Sequence, residues 1–261
     1  MEPSTVQEDM GREGASAPTH IQVRGLRFAR GARTVFRDVQ ADFLRDRINV
    51  ILGGSGAGKT TLLRMFGCLL RPDAGSIVVD GDTELTRLGG AEIRNYRRRV
   101  GMMFQGGALL DSLTVYDNLA LPLREHSPLT EREIQREVDH VFDSVGLEGV
   151  GALLPAELSG GMRKRAALAR ALVTAPDILL CDEPFSGLDP ATVRLVEALL
   201  VDVNERLGVT MVIASHHIPS TFRMAQQIVL LVDGFAVSGT PKWFHACRDP
   251  KVDHFFAGEA K

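Results

Sequence analysis

Short apolar runs, most of which end at a glycine or an acidic residue, alternate along the chain with longer segments of helical character. The runs lie at residues 48–52, 76–79, 178–181, 209–214 and 228–232. A run of this length with such boundaries predicts a buried strand, and apolar residues at 21–28 predict an early strand or pair of strands. Because helical segments separate the runs, the pattern predicts an α/β fold with a largely parallel sheet covered on both faces.

Helical spacing is clearest in the middle of the chain. Thr130 and Glu133 have the spacing of a capping box, and the apolar residues after them stay on one helical face until Gly146. The region from about 106 to 165 is therefore predicted to be a small helical subdomain. Helices are predicted at 59–70, 130–146, 159–173 and 191–207.

Composition bounds the ends of the fold and the classes of partner. Residues 1–18 are rich in Glu, Gly, Ser and Pro, which predicts a disordered tail, and 258–261 are expected to form a short tail after a folded region at 19–257. The net charge of −3 argues against binding to nucleic acid. All apolar runs are shorter than the ~18–20 residues that span a bilayer, which predicts a cytoplasmic chain whose membrane role requires a partner.

A glycine-rich segment at 53–60, Gly-Gly-Ser-Gly-Ala-Gly-Lys-Thr, matches the phosphate-binding pattern G-x-x-x-x-G-K-[ST] between a predicted strand and helix. Glycines let backbone N–H groups face phosphate oxygens, and the helix start adds partial positive charge. Lys59 would reach the β- and γ-phosphates of ATP, and Thr60 would ligate Mg²⁺. A glycine-rich turn with a chance Lys-Thr pair is the alternative. The predicted nucleotide-binding residues of this loop are Gly53, Gly54, Ser55, Gly56, Ala57, Gly58, Lys59, Thr60 and Thr61.

Two acidic residues follow the apolar run at 178–181. Parallel α/β sheets bind ligands at the carboxyl ends of their strands, so Asp182 is expected near the metal, which it would hold through water. Glu183 would polarise the attacking water as a general base. An acidic N-cap of the next element is the alternative, and the phosphate-binding loop elsewhere in the chain favours the catalytic interpretation.

The segment Leu158–Met162, Leu-Ser-Gly-Gly-Met, precedes an Ala- and Leu-rich helix and predicts a second anion site. The hydroxyl of Ser159, the glycines Gly160 and Gly161, and the helix start would donate hydrogen bonds to phosphate. Without further context the same segment is only a well-capped helix, so its meaning depends on the other motifs.

Together these motifs resemble those of the ABC ATPases, in the order and spacing of that family, over about residues 20–257. Leu158–Met162 is similar to the LSGGQ signature, although a methionine replaces the glutamine. Residues 53–60 are similar to Walker A, and Asp182-Glu183 to Walker B. The resemblance implies a P-loop NTPase of ABC type, with a mostly parallel core sheet, an antiparallel β subdomain and a small helical subdomain.

The resemblance also implies roles for residues outside those motifs. Phe28 would stack on adenine, with a plain core residue as the alternative. Gln105 would contact Mg²⁺ and sense the transmembrane partner, and His216 would contact the γ-phosphate, whereas His217 is expected to be a surface residue. Residues 186–189 resemble the D-loop. The implied catalytic residues are Glu183, His216 and Gln105, and the implied metal-binding residues are Thr60, Gln105 and Asp182.

In this family the signature of one subunit closes over the ATP that its twin holds, so the resemblance implies a homodimer docked on a pair of transmembrane permease subunits. Met162, the run at 119–126 and the segment at 249–256 resemble the ATPases of MCE-type phospholipid transport systems, which maintain outer-membrane lipid asymmetry in Gram-negative bacteria. That likeness implies phospholipid cargo, an MCE lipid-binding protein, a STAS-type small protein, and a place on the inner face of the inner membrane.

Two other classes of function stand beside this interpretation. An ABC importer ATPase for amino acids or ions would share the catalytic motifs, and the segment 106–126 is expected to decide, since it would face the permease. A soluble ABC protein of DNA repair or translation usually has a long coiled-coil insertion or two cassettes, and this chain has neither.

Overall fold

The computed structural model describes residues 17–259, with the backbone alone at 251 and 257–259. The predicted disordered tail at 1–18 lies outside the described residues except for its last two positions, as do the final two residues of the predicted tail at 258–261. Among the helices of the described part, none combines the length and apolar character that a membrane crossing needs.

The central strands of the sheet are completely buried. Every residue of Ile48–Leu52, Ile178–Asp182 and Thr210–Ser215 is buried, so these strands must be covered on both faces. Within residues 17–259 the strands are β1 (Thr19–Arg30), β2 (Arg33–Leu44), β3 (Ile48–Leu52), β4 (Ala74–Val79), β5 (Thr83–Glu84), β6 (Val100–Met103), β7 (Ile178–Asp182), β8 (Thr210–Ser215), β9 (Gln227–Val232) and β10 (Phe235–Gly239).

Several of the helices begin at residues whose side chains cap them. In the described part they are α1 (Lys59–Phe66), α2 (Gly90–Arg97), α3 (Val115–His126), α4 (Glu131–Ser144), α5 (Gly160–Leu172), α6 (Pro190–Leu207), α7 (Ile218–Met224), α8 (Pro241–Ala246) and α9 (Pro250–Glu259). The predicted capping box of α4 forms between Thr130 and Glu133. Helix α1 ends at Phe66, short of the predicted Leu70, because Gly67 caps it and Cys68 has a φ of 53°.

The strands of the described part form one mixed sheet in the order β5-β4-β1-β2-β10-β9-β3-β8-β7-β6. Strands β9, β3, β8, β7 and β6 run parallel to their neighbours, and β10 closes this half antiparallel to β9. The pairs β1·β2, β1·β4 and β4·β5 are antiparallel. A mostly parallel core with an antiparallel extension is the predicted fold class.

Alternate residues of the core strands pack into two different apolar clusters. In β7, Leu179 and Cys181 join the cluster formed with α3, α4, α5 and α6. Ile178 and Leu180 join the cluster formed with α1, β1 and β2 on the other face. Full burial of a leucine or isoleucine contributes ~1.5–3 kcal/mol. Both faces of β7 thus hold it in register, and with it the residues at its end.

Strand β2 is not predicted by the apolar runs, because its buried and exposed residues alternate. Phe36, Val39, Ala41 and Phe43 point into the core, while residues between them are partly or fully exposed. The strand pairs along most of β1, so the two form a long hairpin. Residues near the tip of this hairpin contact the phosphate-binding loop.

Candidate active site

Three neighbouring parallel strands end at the same edge of the sheet. Leu52 at the end of β3 pairs with Ser215 at the end of β8, and Asp182 at the end of β7 pairs with Ala214. The phosphate-binding loop, the pair Asp182-Glu183 and His216 therefore follow from adjacent strand ends. Parallel α/β sheets bind their ligands at this edge.

Two glycines of the phosphate-binding loop are required by backbone shape and by packing. Gly58 has a φ of 103°, and a Cβ there would come within 2.5 Å of the Phe36 ring. Gly53 has a φ of 156°, and a Cβ there would lie 2.8 Å from the carbonyl oxygen of Leu231. No side chain caps the start of α1 at Gly58, which leaves the helix N-terminus to an anion.

Lys59 folds back over the loop to which it belongs. Its ammonium donates to the carbonyl oxygens of Gly53 at 2.7 Å and Gly54 at 3.2 Å, and it lies 3.8 Å from Oε1 of Glu183. The residue is only 8% exposed. A cation held in this position beside a helix N-terminus suits the phosphates of a nucleotide.

Replacing Lys59 with alanine is expected to weaken ATP binding by roughly 10- to 100-fold, since a hydrogen bond to a charged group contributes about 1.5–3 kcal/mol. Calorimetric titration with ATP measures the change. Lys242→Ala, which removes an exposed lysine at the start of α8, is the matched control and should bind ATP as the wild type does. Equal affinity of Lys59→Ala and the control would contradict the assignment of the loop.

Thr60 and Asp182 bring two oxygen ligands together. The Thr60 hydroxyl donates to Oδ1 of Asp182 at 2.9 Å. Burial raises the pKa of Asp182, and the hydrogen bond from Thr60 acts in the opposite direction. Hydroxyl and carboxylate oxygens are ligands that Mg²⁺ prefers, and this ion usually shares its coordination with substrate phosphates and water. In the described part of the chain, no cluster of three or more His, Cys, Asp or Glu side chains is arranged to hold a metal.

Glu183 lies between two nitrogen-bearing side chains. Its Oε2 is 2.8 Å from Nδ1 of His216, and the glutamate is 7% exposed. The backbone of Glu183 has a φ of 50°, a strained conformation for a residue with a side chain. Its N–H donates to the carbonyl of Ala214 at 2.9 Å, which helps to hold that conformation. Strain of this type is concentrated at functional sites.

Two predicted residues stand at the margin of this cluster. Gln105 is exposed, and its backbone carbonyl accepts a hydrogen bond from Lys164. Phe28 is half-buried and packs 6.5 Å from Phe36, the ring that covers Gly58. Phe28 is therefore a partly buried aromatic residue beside the loop, as an adenine contact would have to be.

The signature residues lie at the exposed start of α5. Ser159 and Gly160 are exposed, and the Ser159 hydroxyl accepts the N–H of Met162 at 3.3 Å. A Cβ at Gly161 would come within 2.7 Å of the Thr192 methyl group at the start of α6. The glycine therefore has a packing role within the chain besides its predicted contact with phosphate.

His217 is not the surface residue that the sequence suggested. It is half-buried and caps α7, with Nδ1 accepting the N–H of Ser220 at 3.2 Å. Burial lowers its pKa. His217 lies just after strand β8 and caps the start of helix α7. Neither hydrophobicity nor spacing in the sequence reveals that capping role.

Two further cations belong to the site and were not singled out from the sequence. Arg33, near the tip of the β1–β2 hairpin, donates to the carbonyl of Gly56 at 3.1 Å. Lys164 on α5 donates to the backbone carbonyls of Gln105 and Glu183. No sequence signal marks Arg33, while Lys164 follows the signature by two residues.

Residues 36–186 match the model of the family described as ABC transporter. The chain belongs to the ABC transporter family. The matched stretch begins at Phe36 and includes the phosphate-binding loop, the signature and the Asp182-Glu183 pair. The ABC cassette thus contains the active-site residues that meet at the edge of the sheet, except His216, which follows the matched residues.

This ABC cassette is similar over most of its length to intermembrane phospholipid transport system ATP-binding proteins. It is 39% identical over 241 residues to MlaF of Haemophilus influenzae, covering 92% of this chain and 91% of that protein. Its identity to MlaF of Escherichia coli K12 is 40% over 241 residues, which cover 92% of this chain and 89% of that protein. A probable ribonucleotide transport ATP-binding protein, mkl of Mycobacterium tuberculosis, is 43% identical over 206 residues, but these span 79% of this chain and 57% of that protein.

A solved ABC cassette has the same architecture. The dimeric post-hydrolysis state of the ATP-binding cassette MJ0796, bound to ADP and Pi, superposes with a TM-score of 0.77 at 28% identity, covering 85% of this chain and 98% of that one. The comparisons confirm the predicted family and fold class, and the interpretation of the chain as an ATP-binding, ATP-hydrolysing transport subunit.

Proposed function

We propose that the chain is the ATPase of a membrane ABC transporter that energises phospholipid trafficking between the inner and outer membranes, and that it works as a homodimer on the cytoplasmic face of the inner membrane. The observation that carries the ATPase assignment is the meeting of Lys59, Glu183 and His216 at one sheet edge, with distances of 3.8 and 2.8 Å to the glutamate. The lysine is suited to binding phosphate, and the glutamate, which both other groups contact, is suited to taking a proton from water.

Each group has a separate task in hydrolysis. The N-terminus of α1 and Lys59 bind and orient the phosphates of ATP. Glu183 accepts the proton of the attacking water, and its buried surroundings keep other water away from the carboxylate. His216 orients that carboxylate through Nδ1 and has Nε2 free to contact the γ-phosphate, as the family resemblance implies.

Thr60 and Asp182, together with Gln105, would hold Mg²⁺. The 2.9 Å hydrogen bond between the threonine hydroxyl and the aspartate supports this assignment, because it brings two oxygen ligands together beside the loop. Mg²⁺ held there would neutralise charge on the phosphates of the nucleotide. The chain contributes the position of the two oxygens and the burial that excludes competing water.

The second half of each ATP site comes from the twin subunit. Ser159–Gly161 are positioned at the exposed end of α5, from which they would bind the partner's nucleotide. ATP then links the two chains, and its hydrolysis lets them part. The dimeric state of the similar cassette MJ0796 supports a dimer of this family type.

Phospholipid is the cargo that the likeness to other proteins favours. The proteins named for intermembrane phospholipid transport match this chain across about nine-tenths of both lengths, whereas the longer mkl matches over little more than half of its own. The proposed partners are a permease pair, an MCE lipid-binding protein and a STAS-type small protein. An importer for amino acids or ions is the alternative.

Purification of the tagged chain from its native membranes tests this function. We expect permease subunits and a lipid-binding protein to co-purify, and mass spectrometry to find glycerophospholipid enriched over a mock preparation from untagged cells. The assembly should hydrolyse ATP. A complex that contains a solute-binding protein and no enriched lipid would refute the phospholipid assignment and favour the importer.

A further inference from the structure

Lys164 is a buried cation whose three hydrogen bonds reach two separate loops of the active site. Its ammonium donates to the carbonyl of Gln105 at 2.6 Å, to the carbonyl of Glu183 at 3.1 Å and to Oγ of Ser186 at 3.1 Å. The residue is 8% exposed. An ammonium has three protons to donate, so these three acceptors satisfy it completely.

The acceptors belong to parts of the active site that are distant in sequence. Gln105 follows β6, whereas Glu183 and Ser186 lie in the loop between β7 and α6. Burying a charge is costly unless it is fully paired, so Lys164 holds these loops in the one arrangement that pairs it. Burial lowers the pKa of Lys164, and the carboxyl groups of Glu183 and Asp182 act in the opposite direction.

The bond to Glu183 fixes a strained peptide. Glu183 has a φ of 50°, and its carbonyl accepts from Lys164 and, at 3.0 Å, from the Ser186 hydroxyl. A strained conformation persists only where surrounding contacts hold it. Without the ammonium, the carbonyl of Glu183 loses one of three donors, since the N–H of Ser186 also donates to it at 3.2 Å. The carboxylate beside His216 then loses part of its support.

A second cation of α5 holds the continuation of the same loop. The Arg170 guanidinium donates to the carbonyl of Gly107 at 3.1 Å and also to that of Ala108. Gly107 and Ala108 have φ values of 81° and 49°. Two side chains of α5 therefore hold the backbone of Gln105, Gly107 and Ala108, and the exposed signature lies at the start of the same helix.

We propose that Lys164 is a positioning residue for the ATP site of its own chain, where it fixes the backbone of Glu183, Gln105 and Ser186. The proposal rests on the proposed function, in which Ser159–Gly161 on the same helix serve the partner's nucleotide. Helix α5 then takes part in both ATP sites. The signature at its start binds the partner's ATP, and Lys164, two residues after the signature, positions the catalytic glutamate of its own chain.

Kinetics separate this role from nucleotide binding. Lys164→Met keeps the length of the side chain and removes all three donors, so we expect kcat to fall at least ~10-fold through misplacement of the glutamate, with the Kd for ATP within ~3-fold of wild type. Arg163→Met removes an exposed charge of the same sign one residue earlier and should hydrolyse ATP at nearly the wild-type rate. A large rise in Kd with unchanged kcat would overturn the proposal.

A dimerisation assay distinguishes the proposed role of Lys164 from that of the signature residues. In the Glu183→Gln background, hydrolysis no longer dissociates the dimer. Adding Lys164→Met should still allow the ATP-induced dimer to form, and the ATP concentration needed for dimerisation should stay within ~3-fold of that for Glu183→Gln alone. Sedimentation measures the dimer. Its loss would mean that Lys164 acts on the partner's nucleotide and would overturn a role within its own site.

Hydrogen exchange tests the contact without any turnover. The N–H of Gly107 donates to Phe104, and that of Ser186 donates to Glu183, at 2.8 and 3.2 Å. In the nucleotide-free protein, Lys164→Met should accelerate exchange at least ~10-fold in peptides 104–109 and 183–188 and leave α4 unchanged. Unaltered protection in both loops would overturn the proposal even if the chain hydrolyses ATP, whereas a wild-type protein without turnover would refute only the proposed function.

Discussion

Replacing Glu183 with glutamine is expected to lower ATP turnover by roughly 10²- to 10⁴-fold, the range that general-base catalysis contributes. Glutamine keeps the volume and one carbonyl oxygen of the side chain but accepts no proton from water. Binding should be retained, because Lys59 and the start of α1 are unchanged. The variant should therefore accumulate as an ATP-bound dimer.

Two measurements check this expectation. Phosphate release reports turnover, and sedimentation with ATP and Mg²⁺ reports the dimer. Glu205→Gln, an exposed glutamate near the end of α6, makes the same chemical change away from the site and should leave both unaltered. Hydrolysis by Glu183→Gln at close to the wild-type rate would show that another group takes the proton.

Replacing Ser159 with arginine is expected to reduce the ATP-induced dimer at least ~10-fold at a given protein concentration, since the proposal places a large cation where the partner's nucleotide should fit. The exposed serine also caps α5, and loss of a cap costs only about 0.5–2 kcal/mol. The monomer should remain folded and bind ATP with nearly unchanged affinity.

Thr240→Arg is the matched control for loss of a cap. Thr240 is an exposed N-cap of α8, whose hydroxyl accepts the N–H of Trp243 at 3.2 Å. Both substitutions are best made in the Glu183→Gln background, where the dimer is longest-lived. If Ser159→Arg still dimerises like the control, the ATP site does not need the signature of a second chain.

The fold was predictable wherever the residues of a single segment are enough to specify its structure. The run 48–52 is apolar except for Asn49 and became β3, buried on both faces. The capping box at Thr130 predicted the start of α4, because both partners lie within one turn. Strand β2 was not predicted from the apolar runs, because it is only partly buried. Its alternating pattern can be interpreted as a strand only once its pairing with β1 is known. His217 escaped prediction for a similar reason, as its role depends on the helix that it caps.

Three parts of the site are built from consecutive residues and can be recognised without coordinates: the glycine-rich turn with Lys59, the acidic pair at a strand end, and the capped signature helix. Each is a local conformation, so neighbouring residues suffice to specify it. Which of these parts lie next to one another depends on the folded chain. The order of β3, β8 and β7 brings Glu183 to His216 and Lys59, and it places Lys164 against loops 59 and 19 residues away in sequence. Contacts of that range depend on how strands pair and helices pack across the sheet, which no local pattern specifies.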